Sequence, residues 1–344
     1  MGYSFSSMEH SEGLRNSHLY RTIERRRYGA STCFLCGCRL GKKNRADEHV
    51  VPKWVQERFG LWNQELVLLN GTSIPYRQLV IPCCASCNNE HLSRLENAVR
   101  KAVEVGAEAV RALPKVMIFQ WLSKIFYGLM YKELFLRRDR RTRASTTIVS
   151  RQMLDRFRLH HFFLQSVRLP IDFHGGFPAS IFIHNVQCPS DVRRQFNFRD
   201  LHHFLGLSVR LGAVGIVGIL QDAGTQAELL AGAHSNYYAH ELHPLQFAEL
   251  TAKTFYKATL MNRTPKYTIA ETSGRLTVLQ MPIAGLSSRP LYNDWSQEHY
   301  AWVLSEHTMQ SREMLNCDSD RMWTWLHRED GSFLDLDVER NPWP

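Results

Sequence analysis

The chain has 344 residues, of which 44% are apolar, 11% aromatic and 22% charged. This composition excludes an intrinsically disordered chain, and the length is sufficient for two domains, or three if small modules are counted. The net charge of +9 is unevenly distributed, because residues 1–160 carry +13 and residues 161–344 carry −4. A basic first half joined to a slightly acidic second half indicates that the first half binds a polyanion, and we expect nucleic acid.

The first predicted elements are an arm, a turn and a strand. Residues 1–29 are predicted to form a basic helical arm that ends in the run Arg25–Arg27. The segment STCFLCGCRLGKKN follows and is typical of a zinc knuckle, with Gly37 and Gly41 at its bends. The next segment, DEHVVPKW, is predicted to be the end of a strand, which Pro52 terminates.

Two helices are predicted next. The first begins near Cys87 and continues to about residue 112, because apolar residues recur at spacings of three, four and seven. The second covers about residues 114–136, and it is long and apolar enough to span a bilayer. Lys124 near its middle would be costly in lipid, so we expect a buried or partner-facing helix instead. The aromatic residues of this helix are expected in the core: Phe119, Phe126, Tyr127 and Tyr131.

The remaining chain predicts a separate domain. A basic run at residues 137–143 is a plausible boundary, and beyond it strand-like segments such as ASIFIHNV alternate with helix-like segments such as PLQFAELTAKTFYKATLMN. We therefore predict four segments: the arm (1–29), a metal-stapled module with its long helix (30–112), the apolar helix and basic linker (113–145), and an α+β domain (146–344).

The eight cysteines indicate a metal site, because six of them precede residue 90. Four form two Cys-x-x-Cys pairs that are separated by 47 residues: Cys33, Cys36, Cys84 and Cys87. Four thiolates at this spacing suit a closed, tetrahedral structural Zn²⁺. The alternative is a set of unligated core cysteines. Cys38 and Cys83 are spare, either as alternative ligands or as small buried apolar residues.

Four polar residues beside the cysteine pairs are candidates for a catalytic site. Glu48 and His49 lie on the predicted strand, and Asn88 and His91 follow the second cysteine pair. A helix that begins near Cys87 would place Asn88 and His91 on one face. The metal staple would then bring a carboxylate, an amide oxygen and imidazoles together, and such a set can bind a divalent cation with positions left for water and phosphate.

The order Cys-x-x-Cys, Glu-His-Val-Val-Pro, Cys-x-x-Cys-Asn resembles the HNH (ββα-metal) endonuclease family in its zinc-knuckle form, over about residues 30–95. The resemblance implies a treble-clef-like module whose hairpin and helix enter the minor groove. It also implies that one divalent cation, Mg²⁺ or Mn²⁺, supports hydrolysis of a phosphodiester bond. The expected fold class is α+β, with this zinc-stapled nuclease module followed by helices and a larger α+β domain.

The resemblance assigns a role to each candidate residue. Glu48 matches the acidic residue that binds the divalent cation, and His49 matches the histidine that acts as general base. Asn88 matches the cation ligand carried by the helix. His91 falls where the family often has Lys or His near the scissile phosphate or the cation. These residue types suit the reaction, because histidine can deprotonate water near neutral pH and a cation can neutralise charge in the transition state.

The sequence departs from the family at one position. The middle Asn, which orients the general base, usually precedes the second cysteine pair, and RQLVIP stands there instead. Gln78 or Asn70 would have to substitute for it. Separately, Lys53 is placed to contact the phosphate backbone. The alternative from another functional class is a zinc module that binds DNA or acts as a scaffold without cleavage, with Glu48 and His49 as ordinary surface residues.

The expected partner is double-stranded DNA, with no membrane association. A cytoplasmic location is expected because the first residues lack the apolar core of a secretory signal. Residues 146–344 are expected to regulate, sense or dimerise, so a homo-oligomer or a regulatory partner is open, and the layout is similar to that of bacterial defence or mobile-element effectors. Other histidines are expected to be ordinary core or surface residues: His160, His161, His202, His203, His234, His240 and His243.

Overall fold

The computed structural model describes residues 28–142, 144–283, 288–318, 321–341 and 343. The predicted arm, residues 1–29, therefore lies outside the described residues except for Tyr28 and Gly29. Within the described ranges, no helix combines the length and the apolar character that crossing a membrane requires.

The described residues form a mixture of helices and several sheets, which confirms the α+β class. The α-helices are α1 (Lys53–Arg58), α2 (Ser93–Val105), α3 (Ala107–Ala112), α4 (Lys115–Glu133), α5 (Arg151–Arg156), α6 (Arg158–Leu164), α7 (Thr225–Leu229), α8 (Ala231–Ser235), α9 (Pro244–Thr259), α10 (Gln297–Thr308) and α11 (Arg312–Leu315). The strands are β1 (Arg45–His49), β2 (Glu65–Val67), β3 (Ser73–Pro75), β4 (Val80–Cys84), β5 (Ile171–His174), β6 (Ser180–Val186), β7 (Phe196–Leu201), β8 (Gly206–Leu211), β9 (Val214–Ile219), β10 (Glu241–Leu242), β11 (Tyr267–Thr272), β12 (Arg275–Gln280), β13 (Asn316–Asp318) and β14 (Arg321–Met322).

The chain divides into two compact units. Unit 1 comprises Met1–Lys101 (described from residue 28), Leu113–Gly176 and Lys266–Met281, and unit 2 comprises Ala102–Ala112, Phe177–Pro265 and Pro282–Pro344. This division differs from the four predicted segments, because β11 and β12 belong to unit 1. Strand β12 pairs in parallel with β5, which lies about a hundred residues earlier, and such a distant pairing leaves no local pattern in the sequence.

In unit 1, β1 and β4 form an antiparallel pair in which His49 lies opposite Val80 and Glu48 lies opposite Ile81. Side chains alternate along a strand, and β1 follows this rule. Glu48 is buried, whereas Asp47 is exposed and His49 is half-buried. The two candidate residues of β1 therefore point to opposite faces of this β1–β4 pair, which we call the hairpin.

Helix α4 covers the face of the hairpin that carries Glu48, which we call its inner face. It begins after Pro114, and every residue from Ile118 to Tyr131 is buried, as predicted for this helix and its aromatic residues. The approach is close at Gly128, where an added Cβ would lie 3.1 Å from Val50 Cγ1 and 3.3 Å from Ile81 Cδ1. A larger residue at Gly128 would push the helix away from the strands that carry the candidate site.

The helix predicted after Cys87 differs from one continuous α-helix in two ways: its first part is π-helical, and it is broken at Gly106. Its first part, Ser86–Leu92, is a π-helical turn, and α2 continues from it as far as Val105. Gly106 then has a φ of +133°, a backbone conformation that residues other than glycine rarely adopt, and α3 follows. The apolar periodicity continues across this break, which is why the sequence predicted a single helix.

Unit 2 is built on a five-stranded sheet in the order β10-β6-β9-β8-β7. The predicted strands and helices are found here. They include α9 and the hairpin β8–β9, whose strand residues are all buried. Helix α9 packs closely on the sheet, because an added Cβ at Gly215 would lie 2.6 Å from Phe247 Cε2. The core of this unit includes Phe182, Val186, Val217, Ile219, Leu242, Phe247, Leu250 and Phe255.

Candidate metal centre and the neighbouring histidine

The two predicted cysteine pairs come together in unit 1. The Sγ atoms of Cys33, Cys36, Cys84 and Cys87 all lie within 4.8 Å of one another. Sulfurs that share a tetrahedral Zn²⁺ lie about 3.8 Å apart, because the Zn–S distance is about 2.3 Å. The distance from Cys36 Sγ to Cys84 Sγ is already 3.7 Å, so the four cysteines could hold a metal ion such as zinc.

Backbone hydrogen bonds shape the first pair into a tight turn. Cys33 N donates to Cys38 O (2.9 Å), and Gly37 N donates to Cys33 O (2.9 Å) with a φ of +74° at Gly37. The turn is joined to β4, because Phe34 N donates to Pro82 O at 2.9 Å. The cysteine cluster thus lies where the turn, the end of β4 and the π-helical turn meet.

The two spare cysteines lie outside this set of four. Cys83 is fully buried, and its Sγ is 3.9 Å from Cys33 Sγ. Cys38 is half-buried beside the turn. Cys83 approaches Cys33, although it is not one of the four cysteines whose sulfurs all lie within 4.8 Å of one another.

His49 lies on the outer face of the hairpin and is held by Gln56 of α1. Gln56 Nε2 donates to the Val51 carbonyl oxygen at 2.7 Å and lies 3.3 Å from His49 Nδ1. Because a carbonyl oxygen only accepts, the atom of Gln56 that faces it is the amide nitrogen, which also donates to Nδ1. The proton of the neutral His49 ring is therefore on Nε2.

The surroundings of His49 favour its neutral form. Burial lowers the pKa of His49, and the positive charges of Lys53 and Lys124 lower it further. His49 is thus uncharged at neutral pH to a greater extent than an ordinary histidine.

The predicted substitutes for the middle Asn do not hold the ring, because Asn70 binds Arg138 O and Thr72, and Gln78 is an exposed residue of another turn.

Asn88 and His91 both lie in the π-helical turn, which changes their expected relation. In an α-helix, residues three apart are separated by about 60° around the axis, whereas the wider π-helical turn separates them by about 110°. The π-helical turn therefore places Asn88 and His91 further apart around the axis than the predicted α-helix would. Asn88 is directed at β1, since its Nδ2 donates to Asp47 O at 3.2 Å, whereas His91 is half-buried further along the turn.

Glu48 takes part in a buried ion pair rather than an open site. Its carboxylate and that of Glu96 in α2 both bind the ammonium group of Lys124, with 2.7 Å between Lys124 Nζ and Glu96 Oε1. The same Nζ donates to His49 O at 2.6 Å and to Val50 O at 3.2 Å. Lys124 is fully buried, so this cluster fixes the backbone of the strand end from within.

The electrostatics of this cluster follow from its burial. Burial raises the pKa of Glu48 to about 7, although Lys124 acts in the opposite direction. Burial also disfavours the charge of Lys124, but Glu48 and Glu96 more than offset this, and the pKa of Lys124 is raised. Lys124 is therefore the permanent cation of the cluster, and Glu48 already has a positively charged partner.

The expected divalent-cation set is not assembled by these side chains. Among the described residues, we compared the ligand atoms of all His, Cys, Asp and Glu side chains. The group that lies close enough together to hold a metal ion consists of the four cysteines. Glu48 faces α4 and His49 faces outward, so the expected convergence of Glu48, His49, Asn88 and His91 on one ion is not seen. The carboxylate on the same strand face as His49 is that of Asp47, which is exposed and paired with Arg45.

Replacing Lys124 with methionine should destabilise unit 1 strongly. The substitution leaves two carboxylates and two backbone carbonyl oxygens without their cation, and breaking a buried ion pair in this way typically costs about 3–5 kcal/mol. Glu48→Gln should cost less, because Lys124 keeps Glu96 and both carbonyl oxygens. Urea unfolding curves of the two variants measure the difference, with Lys115→Met, an exposed position on the same helix, as the matched control. A loss for Lys124→Met no larger than that of Lys115→Met would contradict the assignment.

Sequence reasoning missed Gln56, Glu96 and the role of Lys124. Lys124 carried a signal, because a lysine in the middle of an apolar helix must find acidic partners when it is buried. Gln56 and Glu96 carried none, since polar residues in amphipathic helices are usually exposed. Comparison of the chain with protein-family models, with curated proteins and with solved structures gives no match.

Proposed function

We propose that unit 1 is an endonuclease that hydrolyses phosphodiester bonds in nucleic acid, with double-stranded DNA as the expected substrate. The observation that carries the proposal is the environment of His49, which is half-buried on the outer face of the hairpin, oriented by Gln56 and lowered in pKa. A neutral imidazole is the form that a general base for water requires at neutral pH. Because Nε2 carries the proton and Nδ1 accepts from Gln56, the attacking water would take the place of the Gln56 amide at Nδ1.

The charge around this histidine supports a polyanionic substrate. Exposed basic residues precede and follow β1: Lys42, Lys43, Lys53 and Arg58. Lys53 is close enough to lower the pKa of His49, so a phosphate that contacts Lys53 would lie near the imidazole. The backbone of His49 and Val50 is anchored by Lys124, which would keep the ring in place when a charged substrate arrives.

The carboxylate expected to bind a divalent cation, that of Glu48, is engaged with Lys124. Asp47 is exposed on the face that carries His49, and the side chain of Asn88 is bonded to its carbonyl oxygen. If a cation takes part, we expect Asp47→Asn to impair cleavage more than Glu48→Gln does. Cleavage should be measured with Mg²⁺, with Mn²⁺ and with neither, without a chelator that would also remove zinc.

DNA binding should weaken steeply with salt, because contacts to phosphate release counterions. Lys53→Gln should reduce the slope of log affinity against log salt by about 1, as expected for the loss of one phosphate contact. Fluorescence anisotropy with a labelled duplex measures the slope, and Lys266→Gln, an exposed lysine elsewhere in unit 1, is the matched control. An affinity that does not depend on salt would contradict nucleic-acid binding by this surface.

A second candidate function is a zinc module that binds DNA or acts as a scaffold without cleaving it. The ion pair between Glu48 and Lys124 favours this candidate, because it removes the carboxylate that the family resemblance assigns to the cation. The two functions are distinguished by incubating the folded protein with plasmid DNA. Nicked or linear product that depends on His49 supports the nuclease, and salt-dependent binding without product under any of the three metal conditions supports the second candidate.

A further inference from the structure

A polar pocket lies between the sheet and α9 in unit 2, where an apolar interface would be expected. Strands β7 and β8 are antiparallel, with Asn197 opposite Arg210 and Arg199 opposite Ser208. Because side chains two apart share a face, these four polar residues occupy one face of two neighbouring strands. They contribute to a cavity of about 10 Å³ that is also lined by Thr251, His307 and Trp343.

The guanidinium group of Arg210 is the main unexplained feature of this pocket. Arg210 is 1% exposed, and one of its nitrogens, Nη2, donates to Arg194 O. Its Nε and Nη1 are buried and have no acceptor in the described part of the chain. Burial lowers the pKa of Arg210 only to about 10, so the group remains charged at neutral pH.

The lining side chains add donors but no carboxylate, and outside the lining Cys188 acts to raise the pKa of Arg210. Arg199 Nε is also buried without an acceptor among the described residues, and the lining contains no carboxylate. His307 is kept neutral, because burial and then Arg199 lower its pKa to about 4. A buried cation that lacks both a counter-charge and acceptors for its N–H groups is costly to a fold.

We propose that this pocket binds a small anion through Arg210 and Arg199. Hydrogen bonds from a guanidinium group to an anion are short and strong, and they would satisfy the buried donors and the charge together. A cavity of about 10 Å³ holds roughly one water-sized atom. The bound group is therefore a halide ion or one terminal oxygen of a carboxylate or phosphate that enters from the pocket mouth.

Anion binding would give unit 2 a stability that depends on ligand concentration. A ligand that binds only the folded state raises the unfolding temperature in proportion to the logarithm of its concentration once the site is saturated. This property is independent of the proposed nuclease, because every residue of the pocket belongs to unit 2.

The test is thermal unfolding of the full chain at constant ionic strength. Chloride, acetate and phosphate are each titrated against sodium MOPS, whose weakly basic sulfonate is a poorer hydrogen-bond acceptor than a carboxylate or a phosphate, so the response is the excess over this background. Isothermal titration calorimetry gives the stoichiometry. We expect at least one of the three anions to raise the midpoint and to bind one per chain. A response to chloride alone identifies a halide site, and a response to acetate or phosphate identifies an oxygen site.

Two variants connect the response to the pocket. Arg210→Met removes the buried charge and should abolish the response. Arg199→Gln, at a half-buried position, should weaken the response. This second variant tests the proposal if Arg210→Met does not fold. Arg193→Gln alters an arginine that is 78% exposed and paired with Asp191, and it should respond as the wild type does. The proposal is overturned if no anion exceeds MOPS, or if the folded Arg210 and Arg199 variants respond as fully as the wild type.

Discussion

Replacing Cys84 with serine should unfold the metal-stapled part of unit 1 and release its metal. Cys84 ends β4, and its Sγ is 3.7 Å from Cys36 Sγ. A structural Zn²⁺ contributes roughly 10–16 kcal/mol to the folding of small zinc modules, which equals or exceeds the whole stability of a typical domain. Loss of one thiolate should therefore abolish the local fold. Metal content by mass spectrometry and amide hydrogen exchange over residues 30–105 measure the two effects.

The spare cysteines provide the control for this experiment. Cys38→Ser removes a thiol near the same turn but none of the four clustered sulfurs, so metal content should stay at one per chain. Cys83→Ser places a hydroxyl at a fully buried position, and it should lower stability without releasing metal. Folded wild-type protein without stoichiometric metal, with all four clustered thiols open to alkylation, would show that the cysteines are only core residues.

The cysteine cluster was predictable because its signal is local. Each Cys-x-x-Cys pair lies within one turn, and the spacing itself fixes how the thiolates approach a metal. The buried helix α4 was predictable for a similar reason, since an apolar run with a central lysine is excluded from lipid and must be covered by protein.

The relation between Glu48 and His49 was harder to predict, because it depends on residues distant in sequence. Strand alternation separates the two side chains, and the partner that captures Glu48 is Lys124, 76 residues later in α4. The same limit applies to the pairing of β5 with β12, which joins distant segments. A bacterial defence role, a cytoplasmic location and oligomerisation through residues 146–344 stay predictions from the sequence.

The polar face of β7 and β8 could have been recognised in the sequence. Asn197 and Arg199 alternate with apolar residues, as do Ser208 and Arg210, and this period-two pattern is typical of a strand with one exposed face. The structure covers that face with α9. Only packing reveals that these polar residues are buried, which is why the sequence did not indicate an anion site.

Replacing His49 with alanine should reduce the cleavage rate by about 10²–10⁴-fold, the usual cost of losing a general base. DNA affinity should be retained, because the exposed lysines and arginines around β1 remain. Single-turnover cleavage of a labelled duplex measures the rate, and anisotropy measures the affinity. His174→Ala, at an exposed position on β5 in the same unit, is the matched control. An unchanged rate in folded His49→Ala would show that EHVVP is only a strand end, and the nuclease proposal would fail.

The pH dependence of cleavage identifies His49 more directly than its removal does. In the wild type, burial first and then Lys53 and Lys124 lower the pKa of His49 below the ordinary value of 6.5. A base must be unprotonated to act, so the acidic limb of the pH–rate profile should have its midpoint below pH 6.5. Gln56→Glu places a carboxylate beside Nδ1, which favours the imidazolium ion and raises its pKa. The acidic limb of the pH–rate profile should therefore move to higher pH in that variant. A limb that does not move when Gln56→Glu remains folded would assign the titration to a group other than His49, since Gln56 is the side chain hydrogen-bonded to the ring.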